Sequence, residues 1–126
     1  MSEQKTKVLI IEDEEILVNM YKSKFEKEGF EVCQALNGKD GLDQVKENKP
    51  DIILLDIIMP EMDGFMVLKD LKSNPETQNI PVIMLTNLGQ EEDIEKGKEL
   101  GAKDYLLKVD STPNQVVEKV KEILKK

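Results

Sequence analysis

The sequence predicts an α/β fold: a doubly wound (βα)₅ domain whose five parallel strands are covered by helices on both faces. Three observations predict it. The blocks Val8-Leu9-Ile10-Ile11, Ile52-Ile53-Leu54-Leu55 and Val82-Ile83-Met84-Leu85 are uninterrupted apolar runs of strand length, the pattern of strands buried on both faces. Segments with helical apolar spacing separate them. The 126 residues suffice for one core of ordinary size and leave no room for a second folded domain.

The elements follow in order. Residues 1–6 are a polar tail, and the domain proper is expected over 7–126. After the first strand, Ile16, Leu17, Met20, Tyr21 and Phe25 form the apolar stripe of a helix. Phe30 to Leu36 alternates and reads as a strand with one wetter face. Gly29, Gly38, Gly64 and Gly101 punctuate the boundaries. From Gln90 to Leu100 only Ile94 and Leu100 are strongly apolar, so that helix should be held least firmly. Tyr105-Leu106-Leu107 supplies the fifth strand. Thr112-Pro113-Asn114-Gln115 then offers a capping box with proline at the first helical position, ahead of a stripe of Val116, Val117, Val120, Ile123 and Leu124. Alternating strands and helices joined by crossovers give an open parallel sheet with expected order 2-1-3-4-5. Ligands in such sheets bind beyond the carboxyl ends of the strands, where the order reverses.

Composition narrows the chemistry. A net charge of −8 and a pI near 4.7 disfavour direct binding to nucleic acid or to an anionic membrane. No apolar run reaches the roughly 18 to 20 residues of a bilayer span, and the polar start has no signal-peptide core, so a cytoplasmic location is expected. Cys33 is the sole cysteine, which excludes an internal disulfide and is read as a small apolar strand residue. With no histidine in the chain, Ser-His triads, histidine zinc sites and internal phosphohistidine chemistry are excluded. Carboxylates, lysines and hydroxyls remain.

Those groups gather where the fold rule directs attention. Glu12 and Asp13 follow strand one, Asp56 follows strand three, Thr86 strand four and Lys108 strand five. Three clustered carboxylates repel one another and must take up a proton or a cation. An all-oxygen donor set suits a hard ion, and Mg²⁺ fits two or three protein oxygens with water completing the octahedron. Asp56 could then attack phosphorus, with Lys108 as a point charge and Thr86 as hydrogen-bond donor to the transferred oxygens.

The pair Glu12-Asp13, the stretch Asp56-Ile57-Ile58-Met59-Pro60-Glu61-Met62-Asp63-Gly64, and Thr86, Tyr105 and Lys108 in that spacing resemble the receiver domain of two-component response regulators, with a flavodoxin-like fold, from Val8 to Leu124. The likeness is to stand-alone, chemotaxis-regulator-like receivers. It implies that Asp56 accepts a phosphoryl group from a sensor histidine kinase or histidine phosphotransfer protein. It also implies that Glu12, Asp13, Asp56 and the Ile58 carbonyl hold Mg²⁺, and that Thr86 and Tyr105 form a switch pair read by a downstream target protein. That target would dock around the weak fourth helix, the fifth strand and the last helix. The chain is thus expected to be a phosphoacceptor switch rather than a turnover enzyme, catalysing its own phosphorylation.

Two departures from the family pattern stand out. Lys108 is followed by Val109 instead of proline, and a non-proline cis bond costs about 2.5–4 kcal/mol, which leaves the cis or trans state of Lys108-Val109 open with trans favoured. Asn87 replaces a small residue after Thr86. Ile58 and Leu88, flanking the site, offer no amide or acid to hold a water, so slow self-dephosphorylation is expected. Met20, Met59, Met62, Met66 and Met84 are expected mostly in the core, with Met62 and Met66 as possible docking residues. Lys119, Lys121, Lys125 and Lys126 are taken as a solvated face. The alternatives are a phosphorylation-independent adaptor, and an aspartyl-phosphate phosphatase, which would need an acid where Ile58 stands. A nucleotide- or flavin-binding domain is disfavoured because the first turn is acidic rather than glycine-rich.

Overall fold

Alternation of side chains along the central strands sorts the apolar blocks between two cores. The structure, a computed structural model, describes residues 5–125. The start of the polar tail, residues 1–4, and Lys126 lie outside the described residues. The elements are β1 (Lys7–Ile11), α1 (Glu15–Lys27), β2 (Glu31–Ala35), α2 (Gly38–Asn48), β3 (Ile52–Leu55), α3 (Gly64–Ser73), β4 (Val82–Thr86), α4 (Glu91–Glu99), β5 (Asp104–Leu107) and α5 (Pro113–Leu124). A 3₁₀ turn, Lys108–Asp110, follows β5. All strands pair in parallel in the order β2-β1-β3-β4-β5.

Val8 and Ile10 of β1, Ile52 and Leu54 of β3, and Ile83 and Leu85 of β4 face one core with Val18, Tyr21 and Phe25 of α1 and Val116, Val117 and Val120 of α5. Leu9, Ile11, Ile53, Leu55, Val82 and Met84 point the other way, onto Val45 of α2 and Val67, Leu68 and Leu71 of α3. A strand flanked by helices on both faces can carry apolar residues at every position, which is why these blocks do not alternate. β2 at one edge is the wetter strand, with only Ala35 buried. β5 at the other edge is half-buried throughout, a consequence of edge position that its apolar sequence does not announce.

The α1 stripe needs correction. Tyr21 and Phe25 of the expected stripe are buried and Leu17 packs against the same core, but Ile16 is 84% exposed and Met20 41%, and Val18 is buried in addition. Helical periodicity allows two overlapping stripes here, and the one through 18, 21 and 25 meets the sheet. Met59 and Met84 are buried as expected, and Met66 is half exposed. The capping box on α5 is present, with Gln115 N donating to Thr112 Oγ1 and Thr112 N donating to Gln115 Oε1. Helix α4 buries only Gly97. The basic face of α5 is less free than expected, since Lys121 pairs with Glu28 of the α1 end at 2.7 Å and Lys119 with Asp104 of β5 at 3.4 Å.

Candidate functional site

The β1, β2 and β3 ladders run one rung past their strands. Glu12 N donates to Ala35 O and Asp56 N to Ile11 O, each at 3.0 Å. That rung fixes the backbone of both acids beside one another at the carboxyl edge of the sheet, so their convergence is a matter of register. Glu12 is 3% exposed and Asp56 6%. Asp13, the next residue along, is exposed. One carboxylate oxygen from each of Glu12, Asp13 and Asp56 lies within 4.8 Å of the others, so the three could share a hard cation.

Each acid is also tied locally. Ile57 N donates to Asp56 Oδ1 at 2.7 Å, and Glu14 N donates to Glu12 Oε2 at 3.0 Å. Their remaining oxygens accept from Lys108: Nζ is 2.9 Å from Asp56 Oδ2 and also bonds Glu12 Oε1. Beneath them lies a cavity of about 10 Å³ lined by Ile10, Tyr21, Leu54 and Leu85 along with the acids. This apolar floor has an electrostatic consequence. Burial pushes the Glu12 carboxyl up to about 7, against the opposing pull of Lys108 and the Glu14 amide, and the nearby Asp56 charge adds to the rise. Burial works against the Lys108 ammonium too, but its hydrogen bonds to Glu12 and Asp56 outweigh it and hold that pKa above the usual lysine value.

The turn after Asp56 is built by the rest of the acidic motif. Asp63 caps α3 by accepting from Met66 N at 3.0 Å, and Gly64 N donates to Ile57 O at 2.9 Å. A Cβ on Gly64 would collide with the Asp56 carbonyl oxygen and come within 2.7 Å of the Ile57 Cα. Only glycine lets α3 start this close to the Asp56 backbone. The Ile58 side chain projects outward, 60% exposed.

Thr86 is fully buried at the end of β4. Its Oγ1 accepts from Leu88 N at 3.3 Å, which leaves the hydroxyl proton for another acceptor. Tyr105 OH donates to Leu88 O at 2.5 Å. Burial, followed by the charges of Asp93 and Asp56, pushes this phenol up to about 12. Thr86 and Tyr105 therefore grip the two backbone groups of one residue, Leu88, in the loop between β4 and α4. The Tyr105 ring also lies against Gly97, where an added Cβ would meet Cδ2 at 3.1 Å, so the phenol seats α4.

The structure thus brings together Glu12, Asp13, Asp56 and Lys108, and links Thr86 to Tyr105 through Leu88. Sequence reasoning missed the parts played by the Glu14, Ile57 and Leu88 main chains, because backbone groups carry no residue signature. It also missed that Asn87 Oδ1 accepts from Val109 N at 3.2 Å, which joins the two departures from the family pattern. Among the described residues no peptide bond is cis, so Lys108-Val109 is trans. Cys33 is half-buried, and burial, with Glu31 nearby, raises its thiol pKa, which disfavours the reactive thiolate.

Comparison with known proteins accords with this geometry. The model of the response regulator receiver domain matches residues 8–121. The chain is 37% identical over 120 residues to the phosphate regulon transcriptional regulatory protein PhoB of Rhizobium meliloti, covering 95% of this chain and 52% of that protein. It is 40% identical over 102 residues to protein PilH of Pseudomonas aeruginosa, covering 81% of this chain and 84% of that protein. It therefore spans about half the length of some curated relatives and most of the length of others. Among solved structures, chemotaxis protein CheY4 of Vibrio cholerae superposes with a TM-score of 0.88 at 27% identity, covering 94% of this chain and 98% of that one. A CheY-like receiver domain protein of Methanospirillum hungatei superposes at 0.90 with 27% identity, covering 97% of this chain and 95% of that one. A family match over nearly the whole chain, on a sheet of this order with its acids at the switch point, means that the protein belongs to the response regulator receiver domain family.

Proposed function

We propose that Asp56 accepts a phosphoryl group from a phosphohistidine on a partner protein, and that the aspartyl phosphate changes a surface recognised by a second protein. The observation that supports this best is the double hold on the Asp56 carboxylate, by Ile57 N on one oxygen and Lys108 Nζ on the other. Such a carboxylate is oriented and keeps a cation beside it. In the transfer, an Asp56 oxygen forms the new bond to phosphorus as the P–N bond to the donor imidazole breaks, and the bonding pair leaves with that nitrogen. Lys108 can follow the negative charge from the carboxylate to the phosphoryl oxygens, and the Thr86 proton is available to one of them. Glu12, Asp13 and Asp56, with the Ile58 carbonyl that the family resemblance adds, would hold Mg²⁺, which when bound would offset the repulsion between carboxylate and phosphoryl group.

Drawing Thr86 toward the phosphoryl group would strain its contact with Leu88 N, and Leu88 O is what the Tyr105 hydroxyl holds. Replacing the carboxylate by its acyl phosphate, which adds about one net negative charge and three acceptor oxygens, would thereby loosen the seat of α4. The chain is a switch that catalyses its own modification, and its exposed Ile58 and half-buried Leu88 make release of the phosphoryl group slow. Phosphoryl transfer should proceed from a small phosphoramidate and not from ATP, because no glycine-rich loop follows β1 to cradle a nucleotide. Incubation with each donor in Mg²⁺, followed by intact-mass measurement, tests this, and labelling by ATP alone would contradict it.

A further inference from the structure

The β4 and β5 ladder ends at the pair Thr86 and Leu107. Beyond it the chain enters the turn Lys108–Asp110, which buries none of its residues, and Val109 is 75% exposed. Beyond Leu107, no buried residue of the turn itself anchors the backbone that carries Lys108. The next tie across the gap comes from a side chain, since Asn87 Oδ1 accepts from Val109 N at 3.2 Å. Its carboxamide oxygen occupies the role a strand carbonyl would have played, and so lengthens the sheet by one rung.

We infer that Asn87 is a positioning residue for phosphoryl transfer, acting through Val109 to fix the backbone from which Lys108 reaches the reacting oxygens. The inference rests on Asp56 being the phosphoacceptor. Before transfer, Lys108 Nζ is held directly by Glu12 and Asp56. During transfer the charge it must follow moves to the phosphoryl oxygens, and a long, flexible stem can do so reproducibly only from a fixed base. Asn87 is next in sequence to Thr86, so the same loop places both the hydroxyl and the anchor.

A double-mutant cycle tests this on the whole chain. Initial rates of phosphorylation by acetyl phosphate in saturating Mg²⁺ are measured by intact mass for wild type, Asn87→Ala, Lys108→Ala and the double variant, with Mg²⁺ affinity followed by calorimetry. Loss of one ordinary hydrogen bond should slow Asn87→Ala about three- to tenfold, with Mg²⁺ affinity within about twofold of wild type because no carboxylate is touched. In the Lys108→Ala background the same change should have no further effect. An Asn87→Ala rate equal to wild type, or faster as expected if the side chain merely narrows the mouth of the site, overturns the inference. So does an equal slowing with and without Lys108. Unchanged Mg²⁺ binding shows that a slowed variant is folded. A wild type that gains no phosphoryl group removes the proposed function and this inference together, whereas a modified wild type with an unaffected Asn87→Ala removes only the inference.

Discussion

Glu12 is a carboxyl group whose pKa is raised by the site it belongs to. Its value of about 7, above the ordinary 4.5, means that the folded chain binds this proton more tightly than the unfolded chain does. Glu12 therefore contributes stability below about pH 4.5, and that contribution is lost as pH rises through about 7. Without divalent cation, Glu12→Gln should remove this component. Denaturant melts between pH 4.5 and 7.5 should show a stability difference, variant minus wild type, that grows with pH, and a constant difference would contradict the burial-driven shift. Mg²⁺ competes with the same proton, so its apparent affinity should fall as pH drops below about 7, which calorimetry at several pH values would show. The acids, Lys108 and Thr86 were legible in the sequence because each directly follows an apolar strand block. The Glu12 pKa was not, because it depends on a floor made by Tyr21, Leu54 and Leu85, residues drawn from three separate elements.

At the scale of elements, the close start of α3 and the loose seat of α4 have opposite consequences. Gly64 is in contact with the Asp56 backbone, so Gly64→Ala should cost about 1–3 kcal/mol through forced displacement and should also slow modification of Asp56. Denaturant melts and phosphorylation rates measured together would check both, and a stable, fully active variant would contradict the packing. Helix α4 buries only Gly97, so its amides should exchange with solvent sooner than those of α5, whose cap and three buried valines fix it. Hydrogen exchange followed by NMR tests the order, and equal protection of the two helices would oppose it. The weakness of α4 was legible, since a segment with two strong apolar residues cannot bury a face. The facing of α1 was legible only in part: Leu17, Tyr21 and Phe25 of the expected stripe pack on the sheet, but Ile16 and Met20 satisfy the same helical period and are turned out, while Val18 takes the inward place. The edge position of β5 followed from the expected strand order, but its half-burial throughout did not, because the block Tyr105-Leu106-Leu107 is as apolar as a central strand.

For the whole molecule, strand order turns scattered residues into one site. β1 and β3 are neighbours although a helix, a strand and another helix separate them in the chain, and that adjacency sets Glu12 beside Asp56 while β4 and β5 carry Thr86 and Lys108 to the same edge. The arrangement of the fold was readable because buried parallel strands and crossover helices leave few alternatives. Because Ile58 and Leu88 present no polar group to an attacking water, the purified aspartyl phosphate should persist for minutes or longer, and a half-life of seconds, measured by mass after removal of donor, would contradict this. The central claim is tested most directly by treating the wild type and Asp56→Asn with acetyl phosphate and Mg²⁺ and weighing both intact. The wild type should gain one phosphoryl group, and none when the metal is chelated before the donor is added, and Asp56→Asn should gain none; equal gain in the variant, or no gain in the wild type with metal bound, would contradict it.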